Sequence, residues 1–291
     1  MTSVCENNRD ENITFHVLTD GISKKNKMRL EHVAFAYNKQ ILIYSVDKAI
    51  LKDCPVRVGD HVSLATYFRI LMPSILPSPL DKVLYFDCDI VVRKSLAALW
   101  ATDITHNPIG AVYDMAIDDI RNYNRLRYDR ALGYFNAGVL LVNLKYWRDN
   151  NVSNKIIQYI NRYPERLQYW DQDALNGVLI KDLLALPFKY NMQTFFFLKD
   201  PMLRIDFINE IENDIKDPVI LHFSTSCKPW LKGLYSPAKS EYFKYLALSL
   251  WKKYKPAFPP GRWTVCLRYY LIKIGLLSDS YKDRFRDDIT Y

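Results

Sequence analysis

The chain has 291 residues, 49% of them hydrophobic and 25% charged, enough apolar material for a large core and too ordinary a composition for a disordered segment. Its net charge of +8 favours anionic partners such as nucleotide phosphates or acidic lipid headgroups; no nucleic-acid module accompanies it, so nucleic acid is set aside. No signal peptide is visible at Met1 and no apolar run reaches the ~18 residues of a membrane span, while Cys5, Cys54, Cys88, Cys227 and Cys266 are odd in number and widely spaced, which suits a reducing cytosol better than a disulfide framework or zinc knuckle.

After a polar stretch over residues 1–12, residues 13–18 read as a strand ending at Thr19-Asp20-Gly21, residues 23–38 as a helix, and residues 41–44 as a second strand. Residues 61–71 read as a helix. Val83-Leu84-Tyr85-Phe86 is a buried strand that stops at Asp87-Cys88-Asp89, and residues 109–112 form another before Asp114. A further apolar segment runs from Phe135 to Val142, helices are expected over about 146–162 and 171–180, and residues 219–223 form a late strand. From about Tyr242 the pattern turns helical and basic, and Pro256, Pro259, Pro260 and Gly261 mark a break before a tail over about 262–291. Alternating strands and helices imply an α/β fold with a largely parallel sheet, whose ligands sit at the carboxyl ends of the strands. Asp20, Asp87 and Asp114 each follow an apolar run in that way.

Five segments carry chemistry. In Asp87-Cys88-Asp89 the two acids are two apart, so on an extended chain their carboxylates face one side, a suitable pair for a hard cation such as Mg²⁺ or Mn²⁺ that bridges a pyrophosphate. Cys88 between them is small enough for close backbone approach. A solvated strand end followed by a turn would look the same, but the apolar residues on both sides of the motif bury it, and buried carboxylates need partners. His222 stands at the end of a strand and is followed, across the small residues Ser224-Thr225-Ser226, by Lys228, a point charge suited to phosphate. Taken alone, His222 reads better as a satisfied core residue. Arg69, on the buried side of its helix, needs a counter-charge or a ligand unless it snorkels. Asn136, Ala137 and Gly138 interrupt an apolar run, as a bulge or a place of close ligand approach would. Asp171 and Gln172 could hydrogen-bond sugar hydroxyls, and Asp171 could equally cap a helix N-terminus.

In this order, Tyr67-Phe68-Arg69, Asp81 through Asp89, Phe135-Asn136-Ala137-Gly138, Asp171 through Asn176 and His222-Phe223-Ser224 through Lys228-Pro229-Trp230 resemble glycosyltransferase family 8, which includes bacterial lipopolysaccharide glucosyl- and galactosyltransferases. The match spans about 65–230, and its co-occurring pieces are specific where each alone is not. The resemblance implies a GT-A fold: a Rossmann-like mixed, mostly parallel sheet flanked by helices, with residues 1–255 as the catalytic domain and 256–291 as a basic, aromatic tail. It implies that Asp87, Asp89 and His222 ligate Mn²⁺ or Mg²⁺. Lys228 would meet the phosphates of a UDP-hexose donor, and Arg69, Cys88, Asn136, Ala137, Asp171, Gln172 and Thr225 would complete the donor site, with Gln172, Asp171 and Asn136 nearest the chemistry. Transfer would retain anomeric configuration. Gln172 is a poor nucleophile, so front-face attack by an acceptor hydroxyl is expected. The acceptor would be a lipid-linked or lipopolysaccharide-core glycan. In the tail, Trp263, Leu267, Tyr270 and Ile274 interleave with Arg268 and Lys273, as in a helix lying on an anionic membrane, here the inner face of a bacterial plasma membrane; packing on the catalytic domain is the other reading.

The family opens with a strand and a nucleotide-holding loop, and Met1-Thr2-Ser3-Val4 matches the middle of the helix that follows them. The first sheet strand is therefore expected to be missing, which makes a UDP-sugar binder without turnover one alternative. A HAD-type phosphohydrolase with Asp87 as nucleophile is another, suggested by Asp87-Cys88-Asp89-Ile90-Val91.

Overall fold

A computed structural model describes residues 1–55, 63–226, 228–232, 237–259 and 263–278. Cys227, Pro260, Gly261, Arg262, the first two residues of the helix expected at 61–71 and the last part of the tail lie outside them. The strands are β1 (Thr14–Thr19), β2 (Gln40–Ser45), β3 (Lys82–Phe86), β4 (Ile90–Val92), β5 (Ile109–Tyr113), β6 (Phe135–Asn143), β7 (Leu183–Ala185), β8 (Met192–Gln193) and β9 (Ile220–His222). The α-helices are α1 (Thr2–Asn7), α2 (Lys24–Ala36), α3 (Met72–Ile75), α4 (Ala97–Trp100), α5 (Ile120–Leu126), α6 (Leu144–Asp149), α7 (Val152–Arg162), α8 (Trp170–Leu179), α9 (Ile208–Asp214), α10 (Lys239–Ala247) and α11 (Trp263–Lys273). The chain divides into two compact units.

The larger unit holds residues 10–87 and 96–186. In it β1 and β2 pair in parallel, and a second sheet has the order β3-β6-β5-β7. All nine residues of β6 are buried, because this strand is central and covered on both faces. It runs antiparallel to both β3 and β5, whereas β5 and β7 are parallel. The sheet is thus mixed, with more antiparallel pairing than the alternation of strands and helices suggests. The chain returns from β5 to β6 through a short helical excursion and lies beside the strand it left, which needs no crossover over the sheet. The β5–β6 register shifts between Ala111 and Tyr113, opposite the Asn136-Ala137-Gly138 stretch. The irregularity expected there is real, and it coincides with the site described below.

The helix expected over 146–162 is two helices. Asn143 caps α6 by accepting the Tyr146 N–H at 2.8 Å, and Asn151, at φ 53°, breaks the chain before α7. Val152, Ile156 and Ile160 then recur every fourth residue and face the core. Gly177 of α8 meets α7 closely: a Cβ there would lie 2.4 Å from the Tyr159 ring. Residues Leu64–Leu71, within the expected helix, form a 3-10 helix whose last five residues are buried.

The smaller unit comprises residues 1–9, 88–95 and 187–291. Its sheet has the order β4-β9-β8, with β4 antiparallel and β8 parallel to β9. The first residues form a helix, as matched: α1 docks on β4, where the Val92 N–H donates to Ser3 Oγ at 3.1 Å and the Asn7 amide donates to the Val92 carbonyl and Tyr245 hydroxyl at 2.9 and 2.8 Å. In the tail, α11 buries no residue, and Trp263, Leu267 and Ile274 are exposed. No helix among the described residues is long and apolar enough to cross a membrane.

Candidate functional site

In the larger unit, β3 delivers Asp87 at its carboxyl end, where the Asp87 N–H donates to the Gly138 carbonyl at 2.8 Å. One carboxylate oxygen, Oδ1, accepts the Tyr85 hydroxyl at 2.7 Å and Arg69 Nη2 at 2.9 Å. Arg69 is 5% exposed, so it does not snorkel; it is an anchored charge. Its Nε lies 2.9 Å from Asp171 Oδ2, Nη1 donates to the Ala137 carbonyl, and the guanidinium sits 4.4 Å over the Tyr85 ring. Asp171 also accepts the Thr66 hydroxyl. Burial pushes the Asp171 carboxyl up to about 6, and Asp87 adds to it, although Arg69 and Thr66 pull the other way. Asp171 does not cap α8. Its side chain turns to Arg69, and Asp173 accepts from the Gln168 and Tyr169 N–H groups, just before α8, at 2.7 and 2.6 Å. Arg125 and the Tyr134 hydroxyl complete the shell of this fully buried carboxylate.

A second cluster lies across β6 and α8. Gln172 Oε1 accepts the Ala137 N–H at 2.9 Å, and its Nε2 donates to Asp114 Oδ2 at 3.2 Å. Asn136 Nδ2 donates to the same oxygen at 3.0 Å, while its Oδ1 accepts the Gly138 N–H at 2.9 Å. Asp114 thus fixes two amide side chains at once. Its place after β5 is the strand-end signal that singled out Asp87, yet sequence spacing alone gave no reason to join it to Asn136 and Gln172.

In the smaller unit, antiparallel pairing sets Ile90 opposite His222, and the Phe223 N–H donates to the Asp89 carbonyl at 3.0 Å. His222 Nε2 lies 3.3 Å from Asp89 Oδ1, and Lys228 Nζ donates to Asp89 Oδ2 and, at 2.8 Å, to the Phe223 carbonyl. Burial would raise the Asp89 carboxyl, but His222 and Lys228 outweigh it and hold the group well below the carboxylate range. His222 is 4% exposed, and its Nδ1 is 2.9 Å from Asn191 Oδ1. His222 Nδ1 thus faces the Asn191 side-chain amide, and Nε2 faces Asp89. Asp89 Oδ1 is buried without a hydrogen-bond partner among the described residues. An imidazole nitrogen and a carboxylate oxygen 3.3 Å apart can share a cation, and an imidazole held by a neighbouring amide is the usual support for a metal ligand. No sequence signal marks Asn191. Cys88 is exposed, and Thr225 is half-buried in the loop after β9.

Residues 1–233 match the model of the family described as glycosyl transferase family 8. The chain belongs to this family. General stress protein A of Bacillus subtilis (strain 168) is 29% identical over 253 residues, covering 84% of this chain and 85% of that protein. The lipopolysaccharide 1,3-galactosyltransferase of Salmonella typhimurium (strain LT2) is 30% identical over 250 residues, covering 84% of this chain and 71% of that protein. Among solved structures, the galactosyltransferase LgtC in complex with donor and acceptor sugar analogs aligns with a TM-score of 0.77 at 26% identity, over 90% of this chain and 92% of that one. The family 8 fold is thus a GT-A-like α/β arrangement of mixed sheets and flanking helices, and the chain is a glycosyltransferase, working on a sugar donor and a glycan acceptor. Membership sets aside the phosphohydrolase reading of Asp87.

Proposed function

We propose that the protein is a retaining hexosyltransferase that moves glucose or galactose from a UDP-sugar to a lipid-linked or lipopolysaccharide-core glycan, with Asp87, Asp89 and His222 holding Mn²⁺ or Mg²⁺. The observation that carries this reading is the buried pairing of Asp89 Oδ1 with His222 Nε2, next to Lys228. Asp87 is tethered to Asp89 by a single residue. All three donors are hard or borderline ligands that suit these cations. When bound, the cation would supply positive charge against the diphosphate of the leaving group.

The chain's own residues supply the rest. Lys228, held by Asp89 and the Phe223 carbonyl, adds a positive charge for the phosphates. Arg69, buried and anchored on two carboxylates, holds Asp171, which together with Gln172 would bind the donor hydroxyls. Asn136, Ala137, Cys88 and Thr225 complete the donor site. The Gln172 amide oxygen already accepts the Ala137 N–H, which together with its weak nucleophilicity speaks against a covalent glycosyl–Gln172 adduct. In the transfer step the acceptor hydroxyl oxygen bonds to the anomeric carbon on the face from which the diphosphate oxygen departs with its electron pair. The hydroxyl proton passes to that departing oxygen, so no protein base is required. The tail extends the reading: exposed Trp263, Leu267 and Ile274 with Arg268 and Lys273 suit contact with the anionic inner face of a plasma membrane.

The test is a donor screen. Purified protein is incubated with Mn²⁺, UDP-glucose or UDP-galactose, and truncated lipopolysaccharide-core acceptors; UDP release and the anomeric configuration of the product are read by NMR. Retained-configuration product from one donor is expected. Metal-dependent UDP binding with no turnover on any acceptor would overturn the reading in favour of a UDP-sugar binder.

A further inference from the structure

The geometry at the end of β3 assigns Tyr85 as a positioning residue for the metal carboxylate Asp87, an inference that rests on the metal-holding role proposed above. Tyr85 and Asp87 are two apart on an extended segment, so their side chains share a face. The Tyr85 phenol and the Arg69 guanidinium both donate to the same oxygen, Oδ1, at 2.7 and 2.9 Å. Among the described residues no hydrogen bond reaches Oδ2. One oxygen of the carboxylate is therefore engaged by protein, and the other keeps its lone pairs for a cation.

Tyr85 contributes a second time. Its ring lies 4.4 Å beneath the Arg69 guanidinium, a cation–π contact in a buried setting. A single side chain thus holds both the carboxylate and the carboxylate's counter-ion. A carboxylate held by one donor alone pivots about that contact; two donors on one oxygen fix the plane of the group and with it the direction of Oδ2. Outer-shell partners of this kind change metal affinity by about 10- to 100-fold. The phenol's hydrogen bond goes to the carboxylate itself, so its effect is expected on metal capture rather than on transfer at saturating metal.

The experiment compares wild type, Tyr85→Phe, Tyr85→Leu and Asp87→Asn. Mn²⁺ is titrated with and without UDP, free ion is followed by electron paramagnetic resonance, and the Mn²⁺ activation constant and kcat are measured in parallel, with circular dichroism to report the folded fraction. Tyr85→Phe keeps the ring and loses the hydroxyl; it is expected to weaken Mn²⁺ binding and raise the activation constant about tenfold, with kcat at saturating Mn²⁺ within about twofold of wild type. Tyr85→Leu, which also removes the support under Arg69, weakens binding further. Unchanged Mn²⁺ binding in Tyr85→Phe while Asp87→Asn loses it overturns the role of Tyr85 alone. Unchanged binding in Asp87→Asn overturns the metal reading itself. A fall in kcat for Tyr85→Phe with unaltered Mn²⁺ affinity also refutes the positioning role.

Discussion

Arg69 and Asp171 form an ion pair with almost no access to water: Nε and Oδ2 are 2.9 Å apart, and the side chains are 5% and 4% exposed. Each charge is tolerable there only because of the other, together with Asp87 and the Ala137 carbonyl on the arginine and Thr66 on the aspartate. Arg69→Met leaves two carboxylates without their counter-ion. It is expected to lower unfolding stability by about 3–5 kcal/mol, read as a shift in the urea midpoint at unchanged slope. A midpoint equal to wild type would show that the pair adds nothing to the fold.

Asp171 also imposes a pH dependence. Its carboxyl sits at about 6 in the folded protein, above the ordinary value of about 4 in an unfolded chain. Between those values the folded state binds the proton more tightly, so this group's contribution to stability falls as pH rises from about 4 to about 6. Asp171→Asn is expected to remove that decline, leaving a flatter stability curve over the same range in denaturant titrations. Asp89 acts in the opposite sense: held low, it stabilises above the ordinary carboxylate value and loses that contribution as acid is added.

Asp89→Asn removes an acid that faces both His222 and Lys228. A loss of at least about 100-fold in kcat is expected, with the melting temperature largely kept. His222→Ala should weaken Mn²⁺ activation less than either Asp substitution, because two carboxylates remain. Equal rates in wild type and Asp89→Asn would contradict the metal role.

Asn191 is a buried support that acts through His222. Replacing it with Ala frees the imidazole to change tautomer or tilt. The Mn²⁺ activation constant is expected to rise by about tenfold, and Asn191→Asp, which keeps the acceptor, should recover most of the loss. A metal response identical to wild type in Asn191→Ala would show that the imidazole needs no such support.

Gly177 lets α8 approach α7. The Cβ of Gly177→Ala would lie 2.4 Å from Tyr159 Cζ and 2.6 Å from its hydroxyl oxygen. The ring must move, at a cost of about 1–3 kcal/mol, despite the better helix propensity of Ala. Tyr159→Leu in the same background is expected to recover part of the loss in thermal melts, since the clash is with the ring.

The sequence alone determined the alternation of elements and the positions of the five chemical segments. Apolar runs with period two or near four are local signals, and the strands expected from them at 13–18, 41–44, 83–86, 109–112 and 135–142 stand within a residue of those bounds. Asp87, Asp89 and His222 could be named because each stands at the edge of an apolar run, where a carboxylate or imidazole has to find a partner. Folding alone decided which partners they found. Nothing in the spacing said that Asp171 would serve Arg69 and that Asp173 would hold the backbone just before α8, that Asn150 and Asn151 would break a single helix in two, or that Asp114 would bind both Asn136 and Gln172. Those choices depend on side chains up to 105 residues apart being buried together. Burial makes an unpartnered charge or amide expensive, and only the assembled core says which neighbours are within reach.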